Sequence, residues 1–182
     1  MSNGISGTSI ICSFQPIVNE NSRVLILGSI PGVESLRRQQ YYANRRNQFW
    51  PIIYNIFGLE PEDSYEQRTG FLLDKGIALW DVIEKCERVG SLDSNIKNEQ
   101  PNNIRDLLKS HPNIWLVAFN GTKAYETYRK KVGFEQNGEL TYRRLPSTSP
   151  IPGKNIKSFA EKLAEWKTVL KASSGGIAHK DK

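Results

Sequence analysis

Residues 35–50 combine side chains that could bind a nucleic acid. This stretch, SLRRQQYYANRRNQFW, holds four arginines and four aromatic residues and no acidic residue. Arginine can neutralise a phosphate group, and an aromatic ring can stack on a base. The alternative is structural: Phe49 and Trp50 belong to the core, as we expect for these two, and the arginines form a solvated face. Spacing alone leaves both interpretations open.

Several common active-site motifs are absent from the sequence. Gly28 and Gly32 do not form a GxGxxG fingerprint, and residues 152–155 lack the upstream glycine and the hydroxyl residue of a phosphate-binding loop. There is no GxSxG elbow, and His111 and His179 are the only histidines that a serine hydrolase could use. Two scattered histidines and two cysteines do not make a zinc site, so we expect no metal ion.

Composition is typical of a soluble globular protein. Of the 182 residues, 38% are hydrophobic and 24% charged, which suits one domain with a continuous core. The longest apolar run, residues 114–119, is too short to cross a bilayer, and the first twenty residues do not form a secretory signal. We therefore expect a cytoplasmic protein. The net charge of +6 is a weak indication of a polyanionic partner.

Short apolar strands alternate with helices along the chain, a pattern that predicts an α/β fold with a parallel sheet covered on both faces. Ligands of such sheets bind outside the carboxyl ends of the strands, here at residues 28–32, 80–81 and 145–150. The polar residues 85–100 are predicted to form a long surface loop. Predicted strands cover residues 23–28, 77–83, 114–119 and 140–145; predicted helices cover 33–40, 51–57, 64–75, 102–110, 122–131 and 156–170.

Five sequence blocks in the same order resemble the uracil-DNA glycosylase superfamily. Within it, they are most similar to the hypoxanthine-DNA glycosylase family, also called DNA-deoxyinosine glycosylase. The resemblance extends from about residue 13 to 170. The blocks are GSIPGVESL at 28–36, QQYYANRRNQFW at 39–50, GIALWDVIEKCERVGSLDSNI at 76–96, FNGTKA at 119–124 and LPSTSP at 145–150.

This resemblance implies a three-layer α/β/α sandwich with a central four-stranded parallel sheet. We expect a single glycosylase domain at residues 1–171 and a flexible tail at 172–182. The implied activity is that of a monofunctional enzyme that hydrolyses the N-glycosidic bond of a deaminated base, chiefly hypoxanthine, in base-excision repair. No cofactor is expected. The expected partner is double-stranded DNA, with single-stranded DNA as a further candidate, bound by a cytoplasmic monomer that would be nucleoid-associated in a prokaryote.

The resemblance also assigns a base pocket. Gly28, Ser29 and Ile30 match the superfamily's first motif, and their backbone amides could bind a carbonyl of the base. Ile30 stands where other members have an Asp or Asn that handles water, which argues against a conventional uracil enzyme. Tyr42 matches an aromatic residue that stacks on the flipped base. Asp81 could accept the N1 hydrogen of hypoxanthine or, alternatively, only cap the end of its strand.

Asn47 matches the asparagine that carries catalysis in the hypoxanthine family. An amide is a poor base, so we expect its carbonyl oxygen to orient water and to support a cationic sugar as the base departs. The alternative role is an N-cap of the following helix, which is compatible with the first.

Residues 145–150 resemble the second motif, in which many members have a histidine in place of Leu145. The absence of this histidine should impair the removal of hypoxanthine less than the removal of uracil, because a purine can leave in a protonated form. Ser147 and Ser149 would contact DNA phosphates, and Ile151 or Pro152 could fill the gap left by the flipped base. A proline-stiffened loop without contacts to DNA is the alternative.

Four further residues are candidates for DNA contacts. Asn120 and Lys123 lie on a turn into a helix whose N-terminus could bind a phosphate. Arg45 and Arg46 could neutralise phosphates beside Asn47.

Three other functions remain open from the sequence. One is a uracil or mixed uracil/xanthine mismatch-specific DNA glycosylase. A second is a catalytically silent module that binds DNA damage. A third is a flavodoxin-like protein that binds a small molecule, whose ligand affinity would be insensitive to salt, whereas DNA binding weakens steeply with salt.

Overall fold

The predicted parallel sheet forms in the computed structural model, which describes residues 9–135, 138–151 and 156–174. The strands are β1 Ser9–Cys12, β2 Val24–Gly28, β3 Ile77–Asp81, β4 Ile83–Arg88, β5 Lys97–Pro101, β6 Leu116–Asn120 and β7 Thr141–Leu145. The helices are α1 Val33–Arg38, α2 Phe49–Ile56, α3 Tyr65–Asp74, α4 Ile104–Ser110, α5 Thr122–Lys131 and α6 Phe159–Ser174.

Four parallel strands form the central sheet in the order β3-β2-β6-β7. Their register sets Gly28 of β2 beside Asp81 of β3, and Asn120 of β6 beside Leu145 of β7. The last residues of these strands therefore line up along one edge of the sheet. The predicted α/β/α sandwich is confirmed.

Side chains of β2 alternate between two apolar clusters, one on each face of the sheet. Val24 and Ile26 pack with buried residues of α2, α3 and α6, whereas Leu25 and Leu27 pack with buried residues of α4 and α5. All five residues of β2 are buried, as expected for a central strand covered by helices on both sides.

The prediction of a surface loop at residues 85–100 was wrong. This segment contributes β4 and β5, which join β1 in a separate antiparallel sheet of order β1-β4-β5. Two register shifts between β4 and β5 break the alternation of apolar residues, and β5, with the sequence KNEQP, has no aliphatic side chain. Backbone hydrogen bonds rather than an apolar face hold this strand, so its pattern gives no signal of period two.

The C-terminal helix α6 extends to Ser174, so the first three residues of the predicted tail are helical. The rest of that tail, residues 175–182, lies outside the described residues. Among the helices of the described ranges, none is long and apolar enough to span a bilayer.

A leucine substitution in β2 tests the two-sided burial of the sheet. Leu25 is 0% exposed, and Leu25→Ala should lower the free energy of unfolding by about 2–5 kcal/mol, because it leaves a cavity in a rigid core. Leu59, after α2, is 50% exposed, and Leu59→Ala should cost less than about 0.5 kcal/mol. Equal losses for the two variants in urea unfolding would contradict the burial described here.

Candidate active site

A cavity of about 400 Å³ opens at the carboxyl ends of β2, β3 and β6. Four loops, at residues 29–35, 41–47, 91–94 and 147–151, form its walls. Ten of the residues predicted from the sequence line it: Gly28, Ser29, Ile30, Tyr42, Asn47, Asp81, Asn120, Ser147, Ser149 and Ile151.

A buried carboxyl group lies at the ends of the central strands. Asp81 is 4% exposed, and its Oδ2 has no hydrogen-bond partner among the described residues. The pKa of Asp81 is raised to about 7, mainly by burial and in part by the negative charge of Asp93, while the Arg88 guanidinium opposes the rise. Asp81 lines the cavity, so a ligand there could supply the hydrogen-bond partner that the buried Oδ2 lacks.

Glycine at position 28 makes room for this carboxyl group. A Cβ atom on residue 28 would overlap Oδ1 of Asp81 and would lie 3.0 Å from the hydroxyl oxygen of Tyr42. Gly28 therefore has a role beyond the turn that follows it, because any side chain here would displace two residues that line the cavity.

Tyr42 presents an aromatic ring to the cavity. Its ring stacks on Phe49, with centroids 4.0 Å apart and an interplanar angle of 20°, which leaves the opposite face for a ligand. The backbone of Tyr42 is left-handed, with φ of 53°, a conformation that costs energy for a residue other than glycine. Two hydrogen bonds of the preceding residue, Tyr41, fix the backbone here. Its N–H donates to the Tyr65 hydroxyl, and its carbonyl accepts from Nε1 of Trp50.

Asn47 lies just before α2 and lines the cavity. The N-cap of α2 is Gln48, so the predicted N-cap role of Asn47 was wrong by one position; its Oδ1 still accepts a hydrogen bond of 2.9 Å from the N–H of Phe49, the first residue of the helix. A carbonyl oxygen has a second lone pair, and the Nδ2 group has no partner in the described part of the chain, so the amide can still bind water or a ligand.

Asn120 has partners other than the phosphate expected from the sequence. Its Nδ2 donates to the Tyr42 hydroxyl at 3.0 Å and to Oγ1 of Thr148 at 2.9 Å, and its Oδ1 accepts from the N–H of Thr148 at 2.9 Å. Both amide hydrogens are thus used within the protein. The side chain connects two walls of the cavity instead of pointing to solvent.

Ile30 lines the cavity but turns its side chain into a small apolar cluster with Ile11, Ile83 and Cys86. Sequence reasoning missed the group that secures this loop. Arg88 is buried, and its Nη2 donates to the carbonyl of Pro31 at 2.5 Å. The isoleucine therefore anchors the loop and offers no group that could activate water.

A wall formed by residues 91–94 was also missed. Ser91 accepts a hydrogen bond from the N–H of Val33 at 3.0 Å, and Asp93 accepts one from the Ser29 hydroxyl at 3.0 Å. Leu92 lines the cavity while 46% exposed. The GSLDS sequence here belongs to a block that resembles the glycosylases, which was the available signal, but the prediction of a long surface loop assigned no role to these residues.

Comparison with known proteins assigns the family. Residues 15–170 match the sequence profile of the Uracil DNA glycosylase superfamily.

The chain belongs to this superfamily.

Two curated members of the superfamily resemble the chain over most of its length. Both are named Hypoxanthine DNA glycosylase. The protein from Methanosarcina acetivorans is 37% identical over 161 residues, and the protein from Methanosarcina barkeri is 35% identical over 161 residues. Each alignment covers 87% of this chain and 96% of the relative.

A solved structure of the superfamily shares the fold. It is the solution NMR structure of a candidate uracil DNA glycosylase from Methanosarcina acetivorans. The TM-score is 0.73 at 34% sequence identity, covering 91% of this chain and 99% of that one.

The loop at residues 147–151, which resembles the superfamily's second motif, offers hydroxyl groups at the cavity mouth. Ser147 Oγ accepts from the N–H of Ser149, and Ser149 Oγ accepts from the N–H of Ile151, both at 3.2 Å. Each serine has its own hydrogen left to donate. Pro152, the other candidate wedge, lies outside the described residues.

Three of the predicted DNA-binding residues do not line the cavity. Lys123 forms an ion pair with Glu99 of β5 at 2.5 Å, so its charge is already compensated within the protein. Arg45 and Arg46 are exposed beside Asn47, and within the described ranges neither guanidinium has an ion-pair partner.

The raised pKa of Asp81 predicts a pH-dependent cost of folding. The unfolded carboxyl group ionises near pH 4 and the folded one near pH 7, so the folded state binds the proton more tightly and loses stability as pH rises between these values. Asp81→Asn removes that loss. We expect the stability of this variant relative to wild type to increase from pH 4 to pH 8, by up to about 4 kcal/mol, because one pKa unit corresponds to about 1.4 kcal/mol.

Urea unfolding at pH 4, 6 and 8 measures this difference. Asp74→Asn, at the exposed end of α3, is the matched substitution and should leave the difference flat. If the stability difference between Asp81→Asn and wild type is also independent of pH, the pKa of Asp81 is not raised in the folded protein.

Proposed function

We propose that this protein is a monofunctional DNA glycosylase that removes deaminated bases, chiefly hypoxanthine, from DNA in base-excision repair. The observation that carries the proposal is the buried carboxyl group of Asp81, whose Oδ2 has no partner among the described residues, in one cavity with Tyr42 and Asn47. Membership of the superfamily and relatives named for hypoxanthine support the same reaction.

The cavity suits a base that has left the DNA stack. A flipped base could lie on the free face of Tyr42, since Phe49 covers the other face. The Asp81 carboxyl could then accept the N1 hydrogen of hypoxanthine. Adenine has a lone pair at N1 instead of a hydrogen, so an ionised Asp81 repels adenine where it binds hypoxanthine.

Catalysis in this proposal depends on Asn47. Its carbonyl oxygen orients a water molecule toward C1′ and stabilises positive charge on the sugar as the bond to N9 breaks. The bonding electrons leave with the base, which is protonated on departure, and water adds its oxygen to C1′ and releases a proton. An abasic site results. Within the described ranges no lysine lines the cavity, which agrees with hydrolysis instead of a Schiff base.

The expected contacts to double-stranded DNA would lie at the mouth of the cavity and beside it. The hydroxyl groups of Ser147 and Ser149 at the mouth and the exposed charges of Arg45 and Arg46 beside Asn47 would hold phosphates, and Ile151 would occupy the gap in the stack. We further propose that the enzyme acts as a monomer in the cytoplasm.

An excision assay with an Asn47 variant tests the function. Labelled duplexes carrying one hypoxanthine or one uracil are incubated with excess enzyme, and abasic sites are cleaved with alkali. Wild type should release hypoxanthine faster than uracil. Asn47→Ala should lower the single-turnover rate by about 10³-fold while duplex binding is retained, because the lost group acts mainly in the transition state.

Asn103→Ala is the matched control, because the Asn103 side chain accepts a hydrogen bond from a backbone N–H in the first turn of α4, as the Asn47 side chain does at the start of α2, and Asn103 does not line the cavity. Each variant loses one such hydrogen bond, worth about 1 kcal/mol, but only Asn47→Ala should lose activity. Faster release of uracil would keep the superfamily chemistry and overturn the choice of hypoxanthine. Tight, salt-dependent binding without cleavage by wild type would favour a silent damage-binding module.

Salt dependence tests the two arginines. Arg45→Ala and Arg46→Ala should each reduce the slope of log K against log salt by about 1, because each removes about one phosphate contact. Lys109→Ala is the control, since this exposed lysine ends α4 shortly before β6 begins, at the edge of the sheet opposite the cavity. Fluorescence anisotropy between 50 and 200 mM salt measures the slopes. An equal change of slope for all three variants would show that Arg45 and Arg46 do not form the DNA contacts proposed here.

A further inference from the structure

One buried threonine lies where the loop at residues 147–151, here called the serine loop, meets the Tyr42 ring and the segment that holds Asn47. Thr148 is 0% exposed and lies between Ser147 and Ser149 in the chain. Its N–H and its Oγ1 both bond to the side chain of Asn120, and its carbonyl accepts from the N–H of Gln48 at 3.0 Å.

Each of these bonds leads to a residue that would contact the substrate. Asn120 donates its second amide hydrogen to the hydroxyl of Tyr42, the proposed stacking ring. Gln48 directly follows Asn47, and its side chain accepts a hydrogen bond of 2.9 Å from the buried Nζ of Lys162. The serine loop and the stacking ring thus share one set of hydrogen bonds, which also holds the backbone of Gln48, next to Asn47 in the chain.

The backbone leaves little freedom for this connection to relax. Gly121, directly after Asn120, has φ of 97°, and a Cβ atom on it would lie 3.0 Å from Cβ of Ser147. The serine loop therefore packs directly on the turn that ends β6. Tyr42 is held in a left-handed conformation, and the bond from Asn120 fixes the far end of its ring. A strained residue keeps its position only when its surroundings over-determine it.

We propose that Asn120 and Thr148 form a positioning pair that couples the DNA phosphates held by the serine loop to the alignment of Tyr42 and Asn47. This inference rests on the proposed glycosylase function. Binding energy from a phosphate, remote from the reacting bond, is thereby used to place the ring over the base and the amide beside the water. Neither residue of the pair needs to touch the reacting atoms.

Variants of Thr148 separate positioning from folding. Thr148→Val keeps the shape of the side chain but removes Oγ1, the acceptor for Asn120, whereas Thr148→Ser keeps that oxygen. We expect Thr148→Val to lower the single-turnover rate by about 10²-fold with a smaller change in KM, since misplacement by about 1 Å costs that much. Thr148→Ser should restore most of the rate. Equal rates for the two variants would overturn the role of this oxygen.

A double-mutant cycle between protein and substrate tests the coupling itself. Phosphates flanking the deoxyinosine are replaced one at a time by uncharged methylphosphonates, and the replacement that slows wild type most is chosen. If Asn120 and Thr148 couple this phosphate contact to catalysis, Asn120→Ala should cleave both substrates slowly. Its rate on the neutralised substrate should be only a little lower than its rate on the charged one. If the rate reductions caused by the substitution and by the methylphosphonate multiply, the proposal is wrong. It is also wrong if no methylphosphonate slows the wild-type enzyme.

Two measurements keep failures distinct. Circular dichroism and binding to undamaged duplex establish that Asn120→Ala is folded; if it is not, the same cycle is run with Thr148→Val. A wild type without activity on any hypoxanthine duplex would overturn the proposed function itself. An active wild type with multiplying losses would overturn only the positioning role.

Discussion

The register between β2 and β3 is the constraint on which the rest of the site depends. It sets the last residue of each strand side by side, so the carboxyl group of Asp81 lies against the α-carbon of Gly28. β2 lies inside the sheet and β3 at its edge, yet Asp81 at the end of β3 is buried, and so is its carboxyl group. A polar group in such a place is costly unless a partner binds it, and Oδ2 of Asp81 has none among the described residues.

Apolar packing in other parts of the chain stabilises the fold that holds the buried carboxyl group of Asp81. Two apolar clusters, one on each face of the sheet, fix the strands. A third small cluster and the buried Arg88 then fix the loop after β2. With this frame rigid, the protein can keep Tyr42 in a left-handed conformation and leave Oδ2 of Asp81 without a hydrogen-bond partner among the described residues. One strained residue and one unpartnered oxygen thus lie side by side at the cavity, and such features are common at functional sites.

The sequence predicted the parallel sheet because its strands are short apolar runs between helices, a pattern set by burial on both faces. It failed for β5, where no aliphatic side chain marks the strand. In the candidate site, the positions of several residues were predicted but their hydrogen-bond and ion-pair partners were not, for a similar reason. Strand ends placed Asp81 and Asn120 at the right edge, but the partners of Asn120 and Lys123 come from distant segments, Thr148 and Glu99. Such pairings depend on tertiary packing, which local patterns do not encode.

Two substitutions within the motifs explain why the site would suit a purine. Ile30 and Leu145 stand where related enzymes have an acid or amide and a histidine, and both side chains pack into apolar clusters instead. A pocket without these polar groups gives little help to an anionic leaving group. A base that departs protonated needs less help, and its N1 hydrogen still finds an acceptor in Asp81. In the proposed function, the packing that anchors the two loops would therefore favour the release of hypoxanthine over that of uracil.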